Sequence, residues 1–260
     1  MPKKNTLFAA CLQFDVKLGD IEANYAQVEE GLAALRPESP GIVVLPELWA
    51  TGFAYSRLGE MVGHTTAVLD RLRKLAGRYN IYLAGSLPET DQVHYYNTLY
   101  VTGPEGVVGS YRKQHLFAPM GENGYFSPGD RYGTLDTPVG RIAALVCYDL
   151  RFPELVRNQA AEGAELLVIS AQWPIARKEH WRILIQARAI ENQLFVIAAN
   201  RCGTDQSGDR LTFAGHSMIV APDGTILQEA GQEKASISRS IDMSQISTVR
   251  NRFNTAVPSR

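Results

Sequence analysis

Three side chains in this 260-residue sequence have the types and settings to do covalent chemistry together: Cys147, Glu47 and Lys113. Cys147 ends the apolar run Arg141-Ile142-Ala143-Ala144-Leu145-Val146, and a polar turn and helix start follow at once, Tyr148-Asp149-Leu150-Arg151-Phe152-Pro153-Glu154. A thiol between a buried strand and a helix is rigidly held, open from one side and close to backbone N–H groups, a placement that lowers thiol pKa. Glu47 ends Ile42-Val43-Val44-Leu45-Pro46, and Lys113 ends Val107 to Arg112, where a strand gives way to a loop. Taken alone, each also fits a bland role: an inert buried cysteine, a capping or rim carboxylate, a solvated strand-end lysine. Cys11, inside a strand, and Cys202, at a loop start, read as structural thiols.

Chemistry links the three. A thiol needs a base to become a better nucleophile, and a carboxylate serves if burial raises its pKa toward neutrality. An anionic tetrahedral intermediate needs a positive charge or N–H donors at a set position. Lys113 and the backbone N–H of Tyr148 would supply them. No histidine is required. His64, His94, His115, His180 and His216 show no ligand spacing and read mostly as structural or surface residues, so no metal and no cofactor are expected.

Alternating strands and helices must position these groups. Strands are predicted over Leu7–Val16, Gly41–Leu45, Ile81–Ser86, Arg141–Cys147, Leu166–Ala171, Leu194–Asn200 and Ala235–Asp242. Helices are predicted over Asn24–Leu35, Thr66–Tyr79, Pro153–Glu162 and His180–Asn192. Tyr96–Gly103 with Val107–Lys113, and Gly215–Ala221 with Thr225–Glu229, read as hairpins around Pro- and Gly-bearing turns. Leu87–Tyr95, Phe117–Asp136 and Arg201–Ala214 read as long irregular regions. No linker, repeat or dinucleotide fingerprint breaks the pattern, so residues 1–260 are expected to form a single α/β domain. Its hairpins argue against a purely parallel sheet and for two packed sheets with helices outside.

Composition narrows the class. Hydrophobic (45%) and charged (20%) fractions suit a globular enzyme. The net charge of −1 leaves no basic footprint for nucleic acid and no polybasic segment for a membrane surface. No apolar run approaches the ~20 residues of a membrane span, and the short polar start reads as no signal peptide. Three scattered cysteines with no C-x-x-C pair suit a reducing compartment, so a cytoplasmic location is expected.

The segments LPELW (45–49), YRKQHLF (111–117) and CYDLRFPE (147–154) resemble the three motifs of the nitrilase superfamily of carbon–nitrogen hydrolases. The resemblance spans nearly the whole chain, through GENGYFSPGD (121–130), AQWP (171–174), ARAIENQLFVIAANR (187–201) and GHSMIVAPDGTIL (215–227). It implies an α-β-β-α sandwich, Glu47 as general base and acid, Lys113 as oxyanion stabiliser and Cys147 as nucleophile. Glu122 matches the family's second glutamate, which orients the lysine and substrate. The resemblance also implies a homodimer or higher homo-oligomer, with the tail Val249–Arg260 contributing to pairing.

CYDLRFPE, QWP and ARAIENQ look most like the omega-amidase branch, which acts on monoamides of short dicarboxylic acids such as 2-oxoglutaramate. Such a small-molecule amide carries a free carboxylate. Arg151 is the first candidate to bind it, against a competing ion pair with Glu154 or another nearby acid. Arg177 and Arg201 are further candidates, and Trp173 would either wall the pocket or pack in the core. An N-carbamoyl hydrolase, another aliphatic amidase or a nitrilase remain alternatives within the chemistry. A catalytically silent interaction module and a filament-forming oligomer are alternatives outside it, and the intact Glu47, Lys113 and Cys147 set argues against the silent module.

Overall fold

Runs such as Leu166–Ala171 and Phe195–Asn200 are apolar without alternation, and every residue in them is buried. A strand buries both faces only when layers cover both sides, and the computed structural model of the chain has that arrangement. It describes residues 5–131, 133–205, 211–253 and 255. The elements in chain order are β1 (Thr6–Gln13), α1 (Ile21–Leu35), β2 (Gly41–Val44), α2 (Leu58–Gly63), α3 (Thr65–Tyr79), β3 (Tyr82–Thr90), β4 (Tyr95–Gly103), β5 (Gly106–Arg112), β6 (Leu135–Thr137), β7 (Gly140–Val146), α4 (Pro153–Ala161), β8 (Leu166–Ala171), α5 (Lys178–Asn192), β9 (Phe195–Asn200), β10 (Met218–Val220), β11 (Ile226–Glu229), β12 (Ala235–Asp242) and α6 (Ser244–Arg252).

Two six-stranded sheets result, ordered β12-β1-β2-β3-β4-β5 and β6-β7-β8-β9-β10-β11. In each, three central parallel strands joined by crossover helices are flanked by antiparallel strands. The sheets are therefore two copies of one topology. Leu7, Val44, Leu99, Val146, Val168 and Ile197 belong to the core between them. Val28, Leu32, Leu72 and Leu75 seat α1 and α3 on the first sheet. Leu155, Val156, Trp181 and Ile185 seat α4 and α5 on the second. This is the expected α-β-β-α sandwich.

Several expected boundaries move. Leu87–Tyr95 is not irregular: β3 runs on to Thr90, and Leu83–Thr90 pairs antiparallel with Tyr95–Thr102. The hairpin closes through Asp91, whose carboxylate accepts the N–H groups of Val93 and His94. Pairing in a continuous ladder overrides the loop-like composition of Pro88-Glu89-Thr90. The short strand β6 begins within the expected loop 117–136, and α2 and α6 were not anticipated. Helix α6 buries only Ile246, so it presents no apolar stripe to detect. Residues 1–4, 132, 206–210, 254 and 256–260, which include parts of the polar start, of two expected loops and of the expected pairing tail, lie outside the described residues. No described helix is long and apolar enough to cross a membrane.

Candidate active site

The C-terminal ends of β2, β5 and β7 deliver Glu47, Lys113 and Cys147 to one place at the seam between the sheets. Polar side chains stitch that seam. Ser170 Oγ, at the end of β8, donates to Leu45 O (2.8 Å) and accepts from the Ser86 N–H (3.2 Å). Gln172 Nε2 donates to Glu47 O (2.7 Å).

Cys147 is not the last strand residue. β7 stops at Val146, and Cys147 opens a 3₁₀ turn, Cys147–Arg151, with φ of 46°. A non-glycine residue in the left-handed region is held there only by its surroundings. Buried Asp149 is that restraint. Its carboxylate accepts the Val146 N–H (3.2 Å), the His115 N–H (2.8 Å) and the Tyr111 hydroxyl (2.9 Å), tying the turn to the end of β5. His115 completes the tie by stacking on Phe152, with ring centroids 3.5 Å apart.

Lys113 is 2% exposed and its ammonium is fully engaged. Nζ donates to Glu47 Oε1 (2.8 Å) and to both Glu122 oxygens (2.8 Å each). Glu122 Oε2 also accepts the Phe117 N–H (2.7 Å). Asn97, on β4, was not singled out in the sequence. Its Nδ2 donates to Glu47 Oε1 (2.8 Å) and Glu122 Oε1 (3.2 Å). The available signal was a lone amide within the strand Tyr95–Gly103. Glu47 Oε2 accepts the Gln172 N–H (3.2 Å) and the carboxylate faces the Cys147 thiol.

Two negative charges and one positive charge without bulk water shift the titrations. Burial pushes Glu47 above the usual carboxylate range; the Lys113 charge opposes the rise and the Glu122 charge adds to it. Burial works to lower Lys113, but Glu47 and Glu122 outweigh it and hold the ammonium well above its ordinary value. Burial, then the Glu47 charge, push the Cys147 thiol well up, while Lys113 and the Gln172 N–H pull the other way. The sequence expectation of a lowered thiol pKa is thereby corrected. Desolvation and a facing carboxylate outweigh the backbone N–H groups, and the resting sulfur is a thiol beside the Glu47 carboxylate.

These groups floor a cleft walled by Phe53, Tyr55, Phe117, Tyr148 and Trp173. The Tyr148 N–H belongs to the first turn of its 3₁₀ segment, where backbone donors lack partners within the helix. Arg151 and Arg177 line the same cleft. Arg151 lies over the Trp173 ring (4.6 Å) and its guanidinium contacts His180 Nδ1 (3.3 Å). The competing ion pair with Glu154 is absent: among the described residues neither Arg151 nor Arg177 has a carboxylate partner within 4.0 Å. Arg201 is committed elsewhere, to Asp15 (3.1 Å) and Gln172 Oε1 (2.8 Å). Trp173 is 2% exposed and lines the cleft. Among the described residues no group of three or more His, Cys, Asp or Glu side chains is placed to hold a metal ion.

A thiol on a strained turn, facing a buried carboxylate held by an ammonium, defines a cysteine-dependent hydrolase. Known proteins make the class specific. The profile of the carbon–nitrogen hydrolase family matches residues 8–251. A 2-oxoglutaramate amidase of Bacillus subtilis is 37% identical over 93% of both chains. A human omega-amidase is 34% identical over 82% of this chain and 80% of its own. Among solved structures, a carbon–nitrogen hydrolase from Helicobacter pylori superposes with a TM-score of 0.90 at 25% identity, covering 98% of this chain and 96% of that one. An amidase from Nesterenkonia sp. superposes at 0.82 and 28% identity, covering 95% and 94%. The chain belongs to the carbon–nitrogen hydrolase family, within the nitrilase superfamily, and is a cysteine-dependent enzyme of that family.

Proposed function

We propose that the protein is an amidase that hydrolyses the terminal amide of a small carboxylate-bearing substrate, of the 2-oxoglutaramate kind, to the acid and ammonia. Glu47 takes the Cys147 proton as sulfur attacks the amide carbon. Before attack, the three Lys113 N–H bonds are all spent on carboxylates. Protonation of Glu47 weakens its hold on Lys113, so one N–H turns to the new oxyanion as it forms, beside the Tyr148 N–H. Glu47 then gives its proton to the departing ammonia, leaving a thioester on Cys147. It next takes a proton from water, hydroxide adds to the thioester, and the acid departs as the thiol is restored. Glu122 keeps Lys113 in place throughout.

The observation that carries the substrate class is the pair of cations, Arg151 and Arg177, lining the cleft without a carboxylate partner among the described residues. Burial and the Arg177 charge both disfavour the Arg151 cation, a cost that an incoming carboxylate offsets. The relatives named omega-amidase and 2-oxoglutaramate amidase point the same way. Steady-state kinetics on 2-oxoglutaramate beside glutamine, asparagine and a simple nitrile tests the reading. A kcat/KM at least tenfold higher for 2-oxoglutaramate is expected, and equal or better turnover of the nitrile would replace it.

A homodimer is the assembly in this reading, supported by Ile183 (62% exposed) and Ile190 (48% exposed), two turns apart on α5. The three cysteines are free, which suits the cytoplasmic setting proposed with it.

A further inference from the structure

We propose that Asn97 is the positioning residue that joins the two glutamates and keeps Glu47 a competent base, a role that rests on Glu47 acting in the reaction as described above. The geometry is specific. Asn97 is fully buried on β4, and its one amide nitrogen donates to Glu47 Oε1 at 2.8 Å and to Glu122 Oε1 at 3.2 Å. Its Oδ1 has no partner among the described residues. A buried amide that uses only its donor end is there for the donor. The β4 ladder sets its place, because Asn97 O accepts the Lys113 N–H (2.9 Å). The same residue therefore anchors the lysine backbone and both carboxylates.

The chemical consequence follows from counting donors. Glu47 Oε1 has two, Lys113 Nζ and Asn97 Nδ2. When Lys113 turns to the oxyanion, Asn97 remains and keeps the carboxyl group aimed at sulfur and leaving group. A donor to a carboxylate favours its charged form. Without it, Glu47 would hold its proton more tightly and fewer molecules would carry the base at a given pH. The other titratable groups that act on Glu47 are Lys113 at the end of β5, Glu122 on its 3₁₀ turn and Cys147 after β7, with the Tyr55 phenol beside them on the cleft wall. Changing Asn97 replaces none of these groups, although it also takes one of the donors from Glu122, which keeps its bonds from Lys113 and the Phe117 N–H.

The test is the pH profile of kcat/KM for wild type, Asn97→Leu, Asn97→Ala and Asn97→Ser, with a thermal melt on each. Leu matches the shape and removes the donor; Ala is read in its place if Leu does not fold; Ser keeps an O–H donor. The donor-less variant should lose about 10- to 100-fold in kcat/KM at neutral pH. Its acidic limb should move to higher pH by about one unit, and Ser should recover part of both effects. Activity lost with the limb unmoved, or a wild-type profile in a folded donor-less variant, overturns the proposal. Glu47→Gln run in parallel separates the two levels: if it retains turnover, Glu47 is not the base, whatever the Asn97 variants do.

Discussion

At the scale of single residues, the proposed mechanism has the site keep its charges paired until the reaction needs them. Cys147→Ala removes the proposed nucleophile and Glu47→Gln the proposed base. Each should drop kcat below detection while circular dichroism stays native, because neither strands a buried cation: Glu122 still holds Lys113. Lys113→Ala differs. It leaves two buried carboxylates without their cation, and breaking a buried pair in this way costs about 3–5 kcal/mol, so loss of activity should come with a clearly lower melting temperature. The cleft cations give a separate expectation. Arg151→Met should raise KM for amides bearing a carboxylate far more than for neutral amides, read on a matched pair of substrates; an equal effect on both would assign Arg151 to packing on Trp173. The raised Glu47 pKa sets the sign of the pH dependence. In that mechanism the base must be deprotonated, so kcat/KM of the wild type should fall on acidification at a pH above the ordinary carboxylate range, read from its pH profile.

Among the elements, the decisive one is the turn after β7. Its left-handed Cys147 and its restraint Asp149 set the sulfur position, and Asp149 has three donors from outside or across the turn. Asp149→Ala strands those donors. About 2–4 kcal/mol of stability should be lost, measured by urea denaturation, and iodoacetamide labelling of Cys147 should change its pH dependence as the sulfur leaves Glu47. Cys11 and Cys202 should stay unlabelled in the native protein: both are buried, and burial pushes the Cys202 thiol up to about 11.

For the whole molecule, the site exists because two similar sheets pack face to face, with Glu47 and Lys113 carried by one and Cys147 by the other. Ser170 bridges them with two hydrogen bonds. Ser170→Ala should cost about 1–3 kcal/mol and lower kcat more than KM, since it loosens the placement of base against nucleophile and leaves the cleft walls untouched. Copies pairing through α5 should sediment as a dimer, and Ile183→Glu with Ile190→Glu should shift them to monomers.

Local chemistry alone placed Glu47, Lys113 and Cys147 at strand ends, because apolar runs and their abrupt polar ends are written in consecutive residues. The layered α/β class was legible for the same reason: strands covered on both faces carry unbroken apolar runs. Asn97 and Asp149 were not legible. Their importance lies largely in partners distant in the chain, 25 and 50 residues away for Asn97 and 34 and 38 for Asp149, and a lone polar residue in or after a strand looks the same whether it faces solvent or a buried carboxylate. The sign of the thiol shift was likewise decided only by tertiary structure. Backbone N–H groups are local, whereas desolvation and the facing Glu47 arise when the two sheets close over the sulfur, and in that dry seam they prevail.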